Sequence, residues 1–177
     1  MRARPVAGMT LIEVLIGFTI IGLLLTLGVP SFTAWLQNLQ LRNASESIFN
    51  GLQLARANAV HRNKSVTFTM AGPDSSWAVT IDTPSLALSE PGTVQTRSAA
   101  EGTPNAVITT TNPTISFDGL GKTNLPAAAT IQVTNPTGGT CAAVSGNMRC
   151  LNVTVEVGGQ IKMCDPNVTT AGDSRKC

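Results

Sequence analysis

The sequence predicts an α+β fold, with one long N-terminal helix packed on a head of antiparallel β-sheet. Three observations carry this reading. Val14 to Leu41 is a run of 28 residues without a charge, ended by Arg42. Apolar residues then recur at Leu41, Ala44, Ile48, Leu52, Ala55 and Ala59, spacings of three and four that lay one stripe along a helix. After Lys64 threonine is frequent, charges are sparse, and short alternating runs are separated by Gly, Pro, Asn and Asp. A chain of 177 residues suits one domain with a modest extension, which excludes a large multidomain enzyme.

The first element is short and positive: residues 1–8 read MRARPVAG. The most apolar stretch behind it, Val14 to Phe32, is close to the ~20 residues a helix needs to cross hydrocarbon. Two arginines before it and few charges after it favour a cytoplasmic N-terminus with the rest outside. A secretory signal places its small-residue cleavage site after the apolar run. Here the small residue, Gly8, precedes that run, so cleavage after it leaves the hydrophobic helix on the mature protein.

Glu13 breaks the apolar pattern five residues after Gly8. A carboxylate at the edge of such a segment costs several kcal/mol when it lacks a partner. It reads either as an interfacial acid near the headgroups or as an acid whose positive partner comes from assembly. After cleavage that partner is the new α-amino group of Met9 on a neighbouring subunit.

The helix is expected to run on from Met9 to Arg62. These 54 residues at ~1.5 Å each reach roughly 80 Å. The first half suits lipid or a filament core, and the second lays its stripe on the head. Arg42 and Glu46 form an i,i+4 pair on the outer face. Gly28 and Pro30 weaken the hydrogen-bond ladder, so a kink or local melting is expected there.

The candidate strands of the head are Ser65–Met70, Trp77–Asp82, Thr93–Arg97, Val107–Thr110, Thr114–Phe117, Thr130–Asn135, Leu151–Val157 and Gln160–Met163. Gly158-Gly159 reads as a two-residue hairpin turn between the last two. Ala71–Ser76, Pro84–Pro91, Ala99–Asn105 and Asn135–Thr140 read as loops. The division that follows is a leader at 1–8, a membrane or filament-core helix at 9–32, an amphipathic helix at 33–64 and a β-rich head at 65–177.

Charge and chemistry narrow the function. The formal net charge of +2 is carried by Arg2 and Arg4; without them 10 basic residues face 10 acidic ones, so net charge gives no argument for nucleic acid. The single histidine, His61, removes any site built from several imidazoles. Beside Arg62 and Lys64 at a helix end, it suits a surface role better than a catalytic triad. Ser116 to Thr123 reads SFDGLGKT, one residue from a phosphate-binding loop. Ser116 replaces the first glycine, and the following Asn-Leu-Pro-Ala supplies no helix N-terminus for the phosphates. A strand-ending turn is the better reading, and no cofactor is expected.

Four cysteines, at 141, 150, 164 and 177, contain no C-x-x-C, so no metal site is expected. An exported head favours disulfides. Of three connectivities, the preferred one closes two local loops, Cys141–Cys150 and Cys164–Cys177, with the second tying the tail to the last strand. Each bridge would contribute ~2–4 kcal/mol.

Gly8-Met9-Thr10-Leu11-Ile12-Glu13-Val14-Leu15-Ile16 resembles the class III leader and helix start of type IV pilins and type II secretion pseudopilins. The resemblance covers roughly residues 1–64 and is specific, because cleavage glycine, fifth-position glutamate and apolar tail occur together. It implies cleavage after Gly8 by prepilin peptidase, N-methylation of Met9, and polymerisation through the helix with Glu13 at the subunit junction. It also implies single-pass insertion in the bacterial inner membrane with the head in the periplasm, inner-membrane assembly machinery and other pilins as partners, and final location in a pilus at the cell surface. Met9 stands where the family usually has Phe, and an apolar residue is kept.

The head carries a second resemblance. Ile115-Ser116-Phe117-Asp118-Gly119-Leu120-Gly121 and Gly159-Gln160-Ile161 are similar in order and spacing to the GspH/FimT/FimU group of minor pilins and pseudopilins. Asp118 stands where many members have Pro. The Cys164-Asp165-Pro166 start and Arg175-Lys176-Cys177 finish are similar to the C-terminal loop of FimU- and FimT-like pilins, less so to GspH, which favours a pilus over a secretion system. This implies a pilin fold and a minor pilin that supports pilus assembly near the tip, with a GspH-like pseudopilin as the first alternative. Some FimT-like pilins grip DNA through a Gly-Arg-x-Arg motif; the matching Gly159-Gln160-Ile161-Lys162 lacks both guanidiniums. Lys162, Arg175 and Lys176 form the remaining candidate DNA patch, but ordinary surface charge beside Asp165 and Asp173 is the favoured reading, and few aromatics are present for stacking bases.

Overall fold

The computed structural model describes residues 9–84 and 92–177; the side chains of Leu27, Gly28 and Pro30 lie outside the description. The chain divides into two compact units, Met1–Trp35 and Leu36–Cys177. Helix α1, Leu11–Arg62, contributes to both. The expected kink falls on Gly28 and Pro30, whose side chains lie outside the description, and most of the expected Pro84–Pro91 loop falls on 85–91, outside the described residues.

In the second unit, α1 ends where the sequence changes character. Asn63 takes a left-handed φ of 50°, and the Lys64 N–H reaches back to the Ala59 carbonyl at 3.2 Å. That is the Schellman type of helix stop, with asparagine serving where glycine is commoner. Eight strands follow: β1 Val66–Met70, β2 Trp77–Ile81, β3 Thr93–Arg97, β4 Val107–Thr109, β5 Thr114–Phe117, β6 Ala129–Thr134, β7 Leu151–Val155 and β8 Ile161–Cys164. They form two four-stranded antiparallel sheets, ordered β3-β2-β1-β5 and β4-β6-β7-β8.

Alternation builds the core. In β1 and β2, Val66, Phe68, Met70, Trp77, Val79 and Ile81 point inward, and Ala129, Ile131, Val133, Val153 and Val155 do so in β6 and β7. The helix stripe Leu41, Ala44, Ile48, Leu52, Ala55 and Ala59 is fully buried in the same cluster. At Gly51 the helix lies so close to β1 that an added Cβ would stand 2.7 Å from the Phe68 ring and 3.0 Å from Trp77. Trp77 donates its indole N–H to the buried Ser47 hydroxyl at 2.8 Å, which satisfies both polar groups beneath the helix.

Near residue 37, polar groups hold α1 to the head. The Gln37 Oε1 accepts from Asn135 Nδ2 at 2.8 Å and from Asn105 Nδ2 at 3.2 Å, and Asn38 Oδ1 accepts the Arg149 N–H at 2.8 Å.

The hairpin between β7 and β8 differs from the expected two-residue turn. Glu156 and Gln160 close it, leaving the three residues Val157, Gly158 and Gly159. Gly159 has a φ of 82°, and an added Cβ would collide with the Gly121 carbonyl of the β5–β6 connection. A three-residue loop with glycine in the left-handed position matches strand twist as well as a two-residue turn does. The positive φ and the close approach of the two loops together require glycine at 159.

Candidate functional site

In the first unit, Thr10 caps α1: the Glu13 N–H reaches the Thr10 hydroxyl at 3.3 Å and the Thr10 carbonyl at 3.1 Å. The N-terminal Ser/Thr-x-x-Glu spacing favours this start, and Glu13 also sits where the helix dipole favours an acid. From Met9 to Leu41, Glu13 is the only charged residue. Met9, Leu11, Ile12, Val14, Leu15, Ile16 and Phe18 are all exposed, and the apolar surface continues to Phe32 and Trp35, whose rings stack at 5.8 Å. The hydroxyls of Thr19 and Thr26 donate to the Leu15 and Leu23 carbonyls, both at 2.8 Å, and so add little polarity to this surface. So many exposed apolar side chains on one helix call for lipid or other helices around them. No single helix among the described residues is long and apolar enough to cross a membrane; Leu11–Thr26 and Ser31–Arg62 meet that test only together. Gly8 lies outside the described residues.

In the second unit, the disulfides are Cys141–Cys150 and Cys164–Cys177, with Cα separations of 5.4 and 5.0 Å. The first closes a loop around the short 3-10 turn Ala142–Val144; the second joins buried Cys164 of β8 to exposed Cys177. The structure also brings Lys162, Arg175 and Lys176 together. The Lys162 ammonium donates to the Lys176 carbonyl at 2.7 Å, and the Arg175 guanidinium pairs with Asp173 at 2.8 Å. That hydrogen bond draws the Asp173 carboxyl down to about 2 and raises the Arg175 guanidinium. Arg175 is thus paired within the tail, and Lys162 of β8 is hydrogen-bonded to it.

His61 lies exposed in the last turn of α1. Asp118 closes the turn after β5, its Oδ1 accepting the N–H groups of Leu120 and Lys122, both at 2.9 Å. The phosphate-loop-like run is therefore a strand-ending turn. Among the described residues no group of three or more His, Cys, Asp or Glu is placed to hold a metal ion. Sequence reasoning did not find Ser47, Gly51, Gln37 or Asn135; none lies in a pattern that marks it before the sheets are in place.

An apolar helix led by one acid, joined in sequence to a β-rich head, defines a pilin-like subunit. Residues 3–29 match the prokaryotic N-terminal methylation motif. Residues 44–159 match the family described as type II transport protein GspH, and over that span, well above half its length, the chain belongs to the GspH family. Membership carries a structural role, leader processing, inner-membrane anchoring and assembly with other pilins. No curated protein matches the chain. Two crystal forms of the type IV minor pilin FimU of Pseudomonas aeruginosa (strain PAO1) share its fold. One is 13% identical with a TM-score of 0.51, covering 69% of this chain and 90% of that one. The other is 16% identical with a TM-score of 0.50, covering 70% and 87%.

Proposed function

We propose that this chain is a minor pilin, a non-enzymatic subunit inserted through its N-terminal helix into a type IV pilus, where it supports assembly near the tip. The observation that carries this reading is the apolar surface from Met9 to Trp35 with Glu13 as its single charge. Apolar contact supplies most of the attraction between subunits. Glu13 sets the register, because its carboxylate is stable among apolar helices only opposite a positive group. The α-amino group of Met9 on the neighbouring subunit, exposed by cleavage after Gly8 and N-methylated, is that group. Residues 1–8 then act as a leader, 9–32 as the membrane and filament-core helix, 33–64 as the amphipathic half and 65–177 as the periplasmic head. Prepilin peptidase and inner-membrane assembly machinery are the partners before the pilus reaches the cell surface.

A second reading, a GspH-like pseudopilin of a type II secretion system, is supported by the family match over residues 44–159. The tail closed by Cys164–Cys177 favours the pilus. DNA binding is not favoured, since Arg175 is paired with Asp173 and Gln160 and Lys162 stand where the DNA-gripping motif has its two arginines.

Intact-mass measurement of the unreduced mature protein tests the processing. The expected species begins at Met9, carries one methyl group on its amino terminus and contains two disulfides. A mature chain beginning after Phe32 would contradict the proposal.

A further inference from the structure

The direction of β6 and β7 decides where the connection between them lies. At one end of this pair Ala129 faces Val155, and the turn beyond β7 lies against α1: a Cβ added at Gly159 would stand 3.3 Å from Nε of Arg56. At the other end Asn135, just after β6, donates its side-chain amide to Gln37, and the Arg149 N–H donates to Asn38 just before β7. β6 therefore runs against the direction of α1. Residues 136–149 leave the head beside Gln37 and Asn38, among the first residues that α1 contributes to this unit.

This connection has a fixed shape. Cys141–Cys150 closes it, Met148 is fully buried, and the Ala142 N–H donates to the Met148 carbonyl at 2.7 Å while the Met148 N–H donates to that of Thr140 at 3.0 Å. Ala143, Val144, Ser145, Asn147 and Arg149 face outward, with Val144 70% exposed. Arg149 is the only charged residue in 136–149, and no acid occurs between Asp118 and Glu156. The other connection that reaches Gln37, through Asn105, carries Glu101 opposite in sign to Arg97 at the end of β3, and so has no such bias. A rigid uncharged tip with an exposed aliphatic side chain and one cation beside it fits an interface that is apolar within and anionic at its surface.

The chain itself keeps such an interface within reach. Phe32, at the end of the apolar run, and Gln37 are five residues apart on α1, which as helix is about 7.5 Å. The headgroup layer beside the hydrocarbon is itself about 5–8 Å deep. We propose that the disulfide-closed loop 136–149 is a foot that rests on the phospholipid surface while the chain is anchored by its N-terminal helix. Val144 enters the boundary between headgroups and acyl chains, and Arg149 pairs with lipid phosphate. The inference rests on that anchoring and is the same whether the subunit serves a pilus or a secretion system. Contact holds the head against the leaflet before assembly, and passage into a filament breaks it.

The full chain in vesicles of phosphatidylethanolamine and phosphatidylglycerol tests it, with acyl chains brominated near the headgroup as the fluorescence quencher. A Trp35→Phe background leaves the buried Trp77 as a reference whose native emission shows the head folded. On that background the indole introduced by Val144→Trp should lose about half its emission or more, since interfacial side chains sit ~5–10 Å into the headgroup boundary. The indole introduced by Val157→Trp, in the turn at the far end of β7, should keep its emission. Arg149→Glu or added salt should weaken the quenching at position 144, and Arg149→Lys should preserve it. Flotation with the vesicles and quenching of Trp35 in the otherwise wild-type chain report the anchoring separately. An anchored chain whose indole at position 144 is unquenched, or is blue-shifted against neighbouring subunits without being quenched, would overturn the inference and leave the anchoring in place. Quenching indifferent to Arg149→Glu would also overturn it, and a chain that neither floats nor shows Trp35 quenching would overturn both.

Discussion

Asp173 shows how a single pair organises the tail. Its carboxyl is held at about 2 chiefly by the hydrogen bond from the Arg175 side chain, against an ordinary value of 3.8. A carboxyl whose value falls on folding contributes stability that is fully present above the unfolded value and is lost as pH falls through the folded one. The window is therefore from about pH 4 down to about pH 2. NMR titration of the Asp173 carboxyl carbon should give a midpoint of about 2, moved toward 3.8 by Arg175→Gln. A wild-type midpoint near 3.8 would contradict the pairing. At this scale the sequence is only partly legible. Asp173 and Arg175 are near neighbours and visible as a pair, whereas the bond from Trp77 to Ser47 joins residues 30 positions apart and exists only because β2 lies under α1.

At the scale of elements, periodicity located the buried stripe of α1 from Leu41 to Ala59, since a 3.6-residue repeat of apolar groups has one face to bury. It did not mark Gly51, where the helix touches Phe68 and Trp77. Gly51→Ala gains about 1 kcal/mol of helix propensity but drives a methyl into two buried rings, which costs roughly 1–3 kcal/mol. The net expectation is a destabilisation of about 1 kcal/mol, and of no more than about 2 kcal/mol, in chemical denaturation of the full chain in detergent. Equal or greater stability would show that the rings give way. Strand positions were legible because alternation and turn residues are local. Their division between two sheets was not: β1 pairs with β5 across the whole β2–β4 stretch, and no local pattern distinguishes that pairing from a single continuous sheet. The β7–β8 turn was not legible because a three-residue loop with Gly159 in the left-handed region uses the same Gly-Gly pair as a two-residue turn would.

At the scale of the whole molecule, the family and the fold agree with a structural subunit, and the proposed assembly rests on where charge is absent. Thirty or so residues from Met9 onward hold one acid, and that acid begins the helix. This part was the most legible of all, because it needs no tertiary contact: a run of apolar residues, one carboxylate and a small residue before them are visible in the sequence itself. The account predicts that Glu13→Ala leaves leader removal intact but lowers recovery in sheared filaments, relative to the membrane fraction, by about tenfold or more, the loss of roughly 1.4 kcal/mol or more at the junction. Quantifying the processed chain in both fractions is the most direct measurement; recovery of the Glu13→Ala protein in filaments at the wild-type proportion would contradict the account.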